Sequence, residues 1–298
     1  MRIGTHSNSF HADDTLGVAI LKHLHPEAQV VRSRSPEVWA TCDVLVDVGG
    51  QFEPQTGRFD HHQRGFAEKR ANGIPFAGAG LVWRYYGLGY VLSIFPSMDP
   101  YQAAEVVRAV DEKFVQYVDS IDNGIAVECP SNFSFSGMVS ALNPTWLDAD
   151  EAYDLNFHKA VDLAQMVLHG LVQSTGAEAL AADQVRQAKT IADGRILVLE
   201  RWVPFLSVVV AEMPQVLFAV YPQIDGNAQV RTIPVEQGAF RARADLPAAW
   251  AGLSGEALAK VSGVEDAIFC HHGRFIGGAR SVAGALALAQ RALADYQS

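Results

Sequence analysis

Residues 44–62 read Val44-Leu-Val-Asp-Val-Gly-Gly-Gln-Phe-Glu-Pro-Gln-Thr-Gly-Arg-Phe-Asp-His-His62. Apart from Asp47, the run at 44–48 is continuously apolar instead of alternating. A strand of that kind is covered on both faces, as in a parallel sheet flanked by helices. Gly49-Gly50 closes it, and thirteen residues after Asp47 come Asp60-His61-His62, behind Arg58-Phe59 at the expected end of another strand. Working outward, residues 2–5 and 29–32 read as strands and 13–24 as a helix between them. Residues 103–121 carry apolar positions at helical spacing and stop at Asp122-Asn123-Gly124, a helix-ending signal. Short apolar runs alternating with helices predict an α/β fold.

A chain of 298 residues exceeds what one core usually organises, so two domains are expected. The reading places a metal-binding catalytic domain at 1–150 and a helical connection at 151–192, broken near Gly170 and Gly176. A smaller C-terminal α/β (α+β) domain follows at 193–298, with the catalytic cleft between the two domains. In that last part, strands are expected at 196–199, 207–211, 216–221, 229–233 and 268–270, then a glycine turn and a helix over 281–294.

Composition excludes several functions. A net charge of −10 argues against a protein that grips nucleic acid through a broad basic face. Arginine nevertheless outnumbers lysine 17 to 6, which suits local bidentate phosphate contacts. Cys42, Cys129 and Cys270 are too scattered for a disulfide framework or a zinc knuckle and are expected as buried thiols. No apolar run reaches the ~18–20 residues of a membrane span, and no leader is expected ahead of the first strand. The expected location is cytoplasmic, away from membranes; composition says nothing of oligomeric state.

Six of ten histidines fall in three places: His6 and His11, His61 and His62, His271 and His272. In an open α/β sheet the carboxyl ends of strands gather on one edge, where ligands bind. The Thr5–Asp14 loop, Asp47 and Asp60-His61-His62 would meet there. Asp119 and Asp122, one helical turn apart, add carboxylates on a shared face. This inventory suits two metal ions with a shared carboxylate. Imidazole and carboxylate without thiolate favour Mn²⁺, with Mg²⁺, Co²⁺ or Zn²⁺ as substitutes. Paired ions suit in-line phosphoryl displacement.

The set Thr5-His6, Phe10-His11-Ala-Asp13, Val46-Asp47-Val48-Gly49-Gly50 and Phe59-Asp60-His61-His62-Gln63-Arg64-Gly65-Phe66 resembles the DHH phosphoesterase superfamily. Asp119-Ser-Ile-Asp122-Asn123-Gly124, Ala239-Phe240-Arg241-Ala242-Arg243, Leu246-Pro247-Ala-Ala-Trp250-Ala-Gly252-Leu253 and Phe275-Ile276-Gly277-Gly278 extend the likeness over nearly the whole chain. Within the superfamily it looks like the MYG (melanocyte proliferating gene) family of exonucleases. The resemblance implies an N-terminal DHH-type parallel-sheet domain and metal ligands His6, His11, Asp13, Asp47, His61 and Asp122, with Asp47 bridging. It also implies that His62 faces the substrate phosphate and that Asp60 orients a ligating imidazole. The first loop departs from the superfamily spacing, which leaves open the ligand role of His6 versus His11 and any part played by Asp14.

Around Cys270-His271-His272-Gly273-Arg274-Phe275-Ile276-Gly277-Gly278-Ala279-Arg280, glycines ahead of a helix would let backbone amides approach an anion. Arg274, Arg280 and His271 are the expected flanking substrate contacts. Ala279-Arg280 stands where similar chains carry Asn-Lys, which bears on substrate choice. The expected function is a metal-dependent phosphodiesterase, a 3′–5′ exoribonuclease acting on single-stranded RNA or short oligonucleotides. His62 and one of Arg64, Arg274 or Arg280 would neutralise the developing charge, and Phe66 or Trp83 would stack on a base. The alternatives are a small-molecule phosphatase or pyrophosphatase, and a non-catalytic nucleotide-sensing module.

Overall fold

The computed structural model describes residues 1–128 and 130–297, and the expectation for Cys129 lies outside them. The chain divides into two units, Met1–Gly176 and Ala177–Ser298. In the first, β1 (Arg2–Thr5), β2 (Gln29–Arg32), β3 (Val44–Val46), β4 (Phe52–Glu53) and β5 (Arg58–Phe59) form one sheet in the order β2-β1-β3-β5-β4. All neighbours run parallel except β4, which closes the edge antiparallel to β5. The apolar run at 44–48 ends as a strand at Val46, because Asp47 turns into the left-handed region at φ 59°. That leaves Asp47 at the carboxyl end of β3, beside Thr5 at the end of β1 and Asp60 just past β5.

Helix α1 (Ala12–Leu24) is buried at every position from Ala12 to Leu21, and α3 (Gly78–Ile94) packs against it. Between them in sequence lies the short α2 (Pro36–Trp39), capped by Ser35. Gly17 lets α1 lie directly on the sheet, since a Cβ there would stand 2.6 Å from Val46 Cγ1. The helical pattern at 103–121 resolves into α4 (Pro100–Val110), one widened π turn (Asp111–Val115) and α5 (Gln116–Asp122). A further short helix, α6 (Phe135–Ser140), precedes the long α7.

The expected break near Gly170 and Gly176 does not occur: α7 is one helix, Ala152–Gln187. Phe157, Ala160, Val161, Ala164, Leu168 and Val172 form a buried stripe at helical spacing, and that packing carries the helix through both glycines. Gly176 is where Phe95 crosses the backbone; a Cβ would lie 2.2 Å from Phe95 Cε2. Gly170 has nothing within 4 Å of such an atom.

The second unit holds a six-stranded sheet, β10-β11-β9-β8-β7-β6. Its strands are β6 (Lys189–Ile191), β7 (Ile196–Val198), β8 (Phe218–Pro222), β9 (Ala228–Thr232), β10 (Ala267–Cys270) and β11 (Ile276–Ala279), and only β7 with β8 is a parallel pair. Helices α8 (Leu206–Glu212), α9 (Gly255–Ser262) and α10 (Val282–Gln297) complete it. Two expectations are corrected here. The β-branched run at 207–211 is not a strand but α8, with Val208 and Val209 in the core. Arg243 donates to the carbonyls of Val209, Val210, Met213 and Val216, satisfying groups that a helix end leaves bare. Gly277 and Gly278 are not a turn before a helix; they sit in β11, between β9 and β10.

Cys42 and Cys270 are buried free thiols, as expected. No helix among the described residues is long and apolar enough to cross a membrane. The two helical glycines give a paired test. Gly170→Ala should raise stability by up to ~1 kcal/mol, the ordinary helical cost of glycine. Gly176→Ala should lower it by about 1–3 kcal/mol through overpacking against Phe95. Urea unfolding midpoints moving in the same direction for both would contradict this placement.

Candidate metal centre

The first loop is pinned before it delivers its histidines. The backbone of Phe10 exchanges two hydrogen bonds with the Asn143 side chain, at 2.9 and 2.8 Å. Arg32 bonds Asp154 at 2.7 Å and the carbonyl of Asn8, with its guanidinium over the Phe157 ring. His6 is thereby held with Nε2 3.2 Å from Asp14 Oδ2 and 3.5 Å from Asp47 Oδ2. His11, exposed, forms the N-cap of α1 and tilts against the His6 ring.

Asp13 and Asp119 are fully buried and bind the start of α3. Asp13 accepts from the amides of Gly78 and Ala79 at 2.9 and 2.7 Å, and Asp119 from Gly80 at 3.0 Å. The partial positive charge of a helix N-terminus stabilises both carboxylates. This close approach requires glycine: a Cβ at Gly80 would lie 1.8 Å from Asp119 Oδ2, and one at Gly78 2.7 Å from Asp13 Oδ2. Arg70 completes the neutralisation of Asp119 at 2.8 Å while clamping Asp111 with two 2.6 Å bonds. Asp119 is therefore a supporting group. Neither Arg70 nor α3 was visible in the sequence pattern.

Asp47 lies at the middle of the cluster. His61 Nε2 is 3.3 Å from its Oδ1 and 3.2 Å from Asp122 Oδ2. Asp60 shapes the turn that carries the histidine pair: its Oδ2 accepts from Gly50 N at 2.5 Å, and its Oδ1 from His61 N and His62 N at 2.7 and 3.1 Å. The same Oδ1 is 2.8 Å from His62 Nδ1, so Asp60 fixes the ring of His62. His62 is 62% exposed at its side chain, where His61 is 8%. Arg64 is exposed beyond this turn and has no polar partner among the described residues.

Three groups of side chains have potential ligand atoms within 4.8 Å of one another: His6, His11 and Asp47; Asp47, His61 and His62; Asp13, His61 and Asp122. Asp14 Oδ2, Asp47 Oδ1 and His61 Nε2 are buried without an aligned hydrogen-bond partner. Buried orphans of both types, converging and sharing Asp47, fit a divalent cation with oxygen and nitrogen ligands. The centre opens into a cavity of ≈770 Å³, whose wall includes Arg34, Trp39, Val48 and Asn123 besides the expected residues.

Electrostatics carry the same message. Burial, with Asp47, Asp122 and Asp119 nearby, holds the Asp13 carboxyl well above the usual range. Burial pushes Asp14 up to about 7, and Asp119 to about 7 against the pull of Arg70. Burial also works against ionised Asp47, yet contacts from His6 and His61 outweigh it and hold the group at about 2. For His61, burial is overcome by Asp122 and Asp47, which raise it to about 10.

The proposed substrate residues of the second unit are differently placed from expectation. Arg274 is already committed, with Nη2 2.8 Å from Asp245 Oδ2. His271 Nδ1 accepts from Gly273 N at 2.9 Å, and Arg280 is exposed. A Cβ at Gly278 would stand 2.6 Å from the Phe269 ring, so packing alone calls for glycine there. Trp83 is 1% exposed with its indole bonded to Val107 O, which removes it as a stacking platform. Phe66 packs edge-on against Phe52 and His61.

Metal-free protein should lose stability as pH rises. Asp14 and Asp119 take up protons on folding, because their folded values near 7 exceed the unfolded carboxylate range. That contribution is complete below about pH 4 and is lost as pH climbs through 7; the lowered Asp47 acts oppositely, but only below about pH 4. A divalent cation that took Asp14 as a ligand would have to displace its proton, so divalent-cation affinity, measured with Mn²⁺, should rise over that interval. Calorimetric melting with and without chelator, from pH 5 to 8, checks both; a chelated melting temperature that rises with pH would contradict them.

Comparison with known proteins places the chain. A family model described as "Uncharacterised protein family (UPF0160)", under the label MYG1_exonuc, matches residues 2–293. The MYG1 exonuclease of Rattus norvegicus is 34% identical over 99% of this chain and 85% of its own length. The MYG1 exonuclease of Homo sapiens is 32% identical over 99% and 86%. The MYG1 protein YER156C of Saccharomyces cerevisiae is 33% identical over 98% and 96%. Matched from end to end by that model and by these relatives, the chain belongs to the MYG1 exonuclease family.

Proposed function

We propose that this chain is a metal-dependent phosphodiesterase that hydrolyses short oligonucleotides or the end of single-stranded RNA. The observation that carries the reading is Asp47: buried, strained into the left-handed region, and common to two groups of converging ligand atoms with one oxygen lacking an aligned hydrogen bond. The exonuclease name of its relatives supplies the substrate class. His6, His11, Asp13, Asp47, His61 and Asp122 would hold two cations, Mn²⁺ by donor type. Asp14 joins them as a candidate, since its free Oδ2 faces His6. Bound cations would supply Lewis acidity toward the phosphoryl group and make water more acidic.

The chain's own side chains do the rest. Asp60 accepts from His62 Nδ1, which leaves Nε2 to donate to a phosphate oxygen when the ring is protonated. As charge builds on the phosphoryl oxygens, that donor is already oriented, which is where preorganised hydrogen bonds act most strongly. Arg64, free of other partners, is a second donor to the same charge. In the second unit Arg280 is the remaining unpaired cation of the expected set. We assign it, rather than Arg274 or the two glycines, to substrate binding.

Asp47→Asn should keep the fold and reduce turnover on the order of 10²–10⁴-fold, because an amide cannot bridge cations. Chelator should abolish wild-type activity and Mn²⁺ should restore it, assayed on end-labelled RNA, DNA, pyrophosphate and a small diester. A tenth of the wild-type rate in Asp47→Asn would rule out bridging. Pyrophosphate preferred over every diester would replace the nuclease reading with a phosphatase one. Arg280→Ala should lower kcat/KM for short RNA about 10- to 150-fold, the cost of a charged hydrogen bond. An equal loss on the small diester would remove Arg280 from substrate binding.

A further inference from the structure

One stretch of the cavity wall is neither a ligand nor a support for one. Immediately after β2, Ser33-Arg34-Ser35-Pro36 leads into α2. Ser35 caps that helix by accepting from Val38 N, and Pro36 at its first turn presets the backbone. Trp39 ends it. The indole Nε1 donates to Ser33 O at 2.8 Å, and the ring packs on the cluster of Cys42, Leu45 and Val48. Both contacts fix the ring, yet it still contributes to the cavity that contains His62 and Asp47. A half-buried indole, locked by its own N–H, is a flat apolar surface that costs little entropy to use.

Arg34 lines the same cavity and is the one lysine or arginine among its lining residues. It is exposed and has no hydrogen-bond or ion-pair partner among the described residues. Nearby arginines are occupied: Arg32 by Asp154, Arg70 by Asp111 and Asp119, Arg58 by backbone carbonyls. Gly49 and Gly50, at φ 97° and 64°, continue this wall without side chains, and a Cβ at Gly50 would meet nothing within 4 Å. The wall therefore offers a fixed aromatic face, a free guanidinium and open space.

We propose that Arg34 and Trp39 form the nucleotide subsite of this cavity, Trp39 stacking on a nucleobase and Arg34 binding the phosphate next to the scissile one. The proposal rests on the phosphodiesterase reading and deepens it. An indole has nothing to offer inorganic pyrophosphate, whereas every nucleobase has a π-face, and stacking is tolerant of base identity. A guanidinium set apart from the cation ligands recognises a second phosphate bidentately. The subsite would thus select a phosphodiester that carries a base over a bare phosphoanhydride.

The test uses full-length protein with Mn²⁺. In Trp39→Ala the ratio of kcat/KM for diadenylate to that for ethyl p-nitrophenyl phosphate should fall roughly 5- to 150-fold, and Trp39→Phe should recover most of it. In Arg34→Ala the preference for 5′-phosphorylated over unphosphorylated diadenylate should fall about 10- to 150-fold. AMP affinity, by titration calorimetry, should weaken in both alanine variants. Arg34 is exposed and Trp39→Phe keeps an aromatic ring on the cluster beneath it, so both remain informative if Trp39→Ala fails to fold. No turnover of any diester, with AMP binding still weakened by both substitutions, would sink the phosphodiesterase reading and leave the subsite standing. Unchanged ratios and unchanged AMP affinity, or no AMP binding by the wild type, would overturn the subsite.

Discussion

Asp13, Asp14 and Asp47 are taken out of water where β1 and β3 end, and much of the first unit exists to compensate that. Desolvating one carboxylate costs several kcal/mol even after relaxation. Asp13 is offset by two amides of α3, which is why α3 begins with glycines and abuts the sheet at that point. Asp119 is offset by Arg70 and a third amide. Asp47 is offset by imidazoles, at the expense of a left-handed backbone. What remains is one oxygen each on Asp14 and Asp47 that faces an imidazole without an aligned hydrogen bond. A divalent cation would satisfy them, and it would also relieve the mutual repulsion that adds to burial in raising Asp13.

The parts of this arrangement with strong local signatures were legible in the sequence. The strands at 2–5 and 29–32 match the structure residue for residue, and the histidines and aspartates expected at strand carboxyl ends are found there. Parallel pairing brings those ends together whatever the loops between them do. The helix α3 was invisible for a physical reason. It is buried along one whole side, from Gly78 through Trp83 and on to Tyr90 and Val91, so its glycines and aromatics show no clean polar face. Arg70 and Arg34 were likewise missed, since nothing local distinguishes an arginine that will clamp two aspartates from one that will face a cavity.

Elsewhere, tertiary contacts overrode local preference. Ser207–Ala211 has the β-branched composition of a strand and is helical because Arg243 collects the carbonyls at its end. Gly277 and Gly278 carry the mark of a flexible loop, yet both sit in β11, where Gly278 admits the Phe269 ring. Glycine at close approach and glycine at a turn look identical in one sequence; only the neighbour's identity separates them. Trp39 and Trp83 show the same limit, one facing the cavity and the other sealed in the core.

We propose that Asp47 is shared by two divalent cations. Anomalous diffraction at the manganese edge, from crystals grown with Mn²⁺, tests it without reference to any substrate. Two peaks roughly 3.5–4 Å apart are expected, each within bonding distance of a different Asp47 oxygen, with His61 on one and His6 or His11 on the other. A single peak that leaves one Asp47 oxygen bare, or manganese bound only away from Asp47, would contradict it.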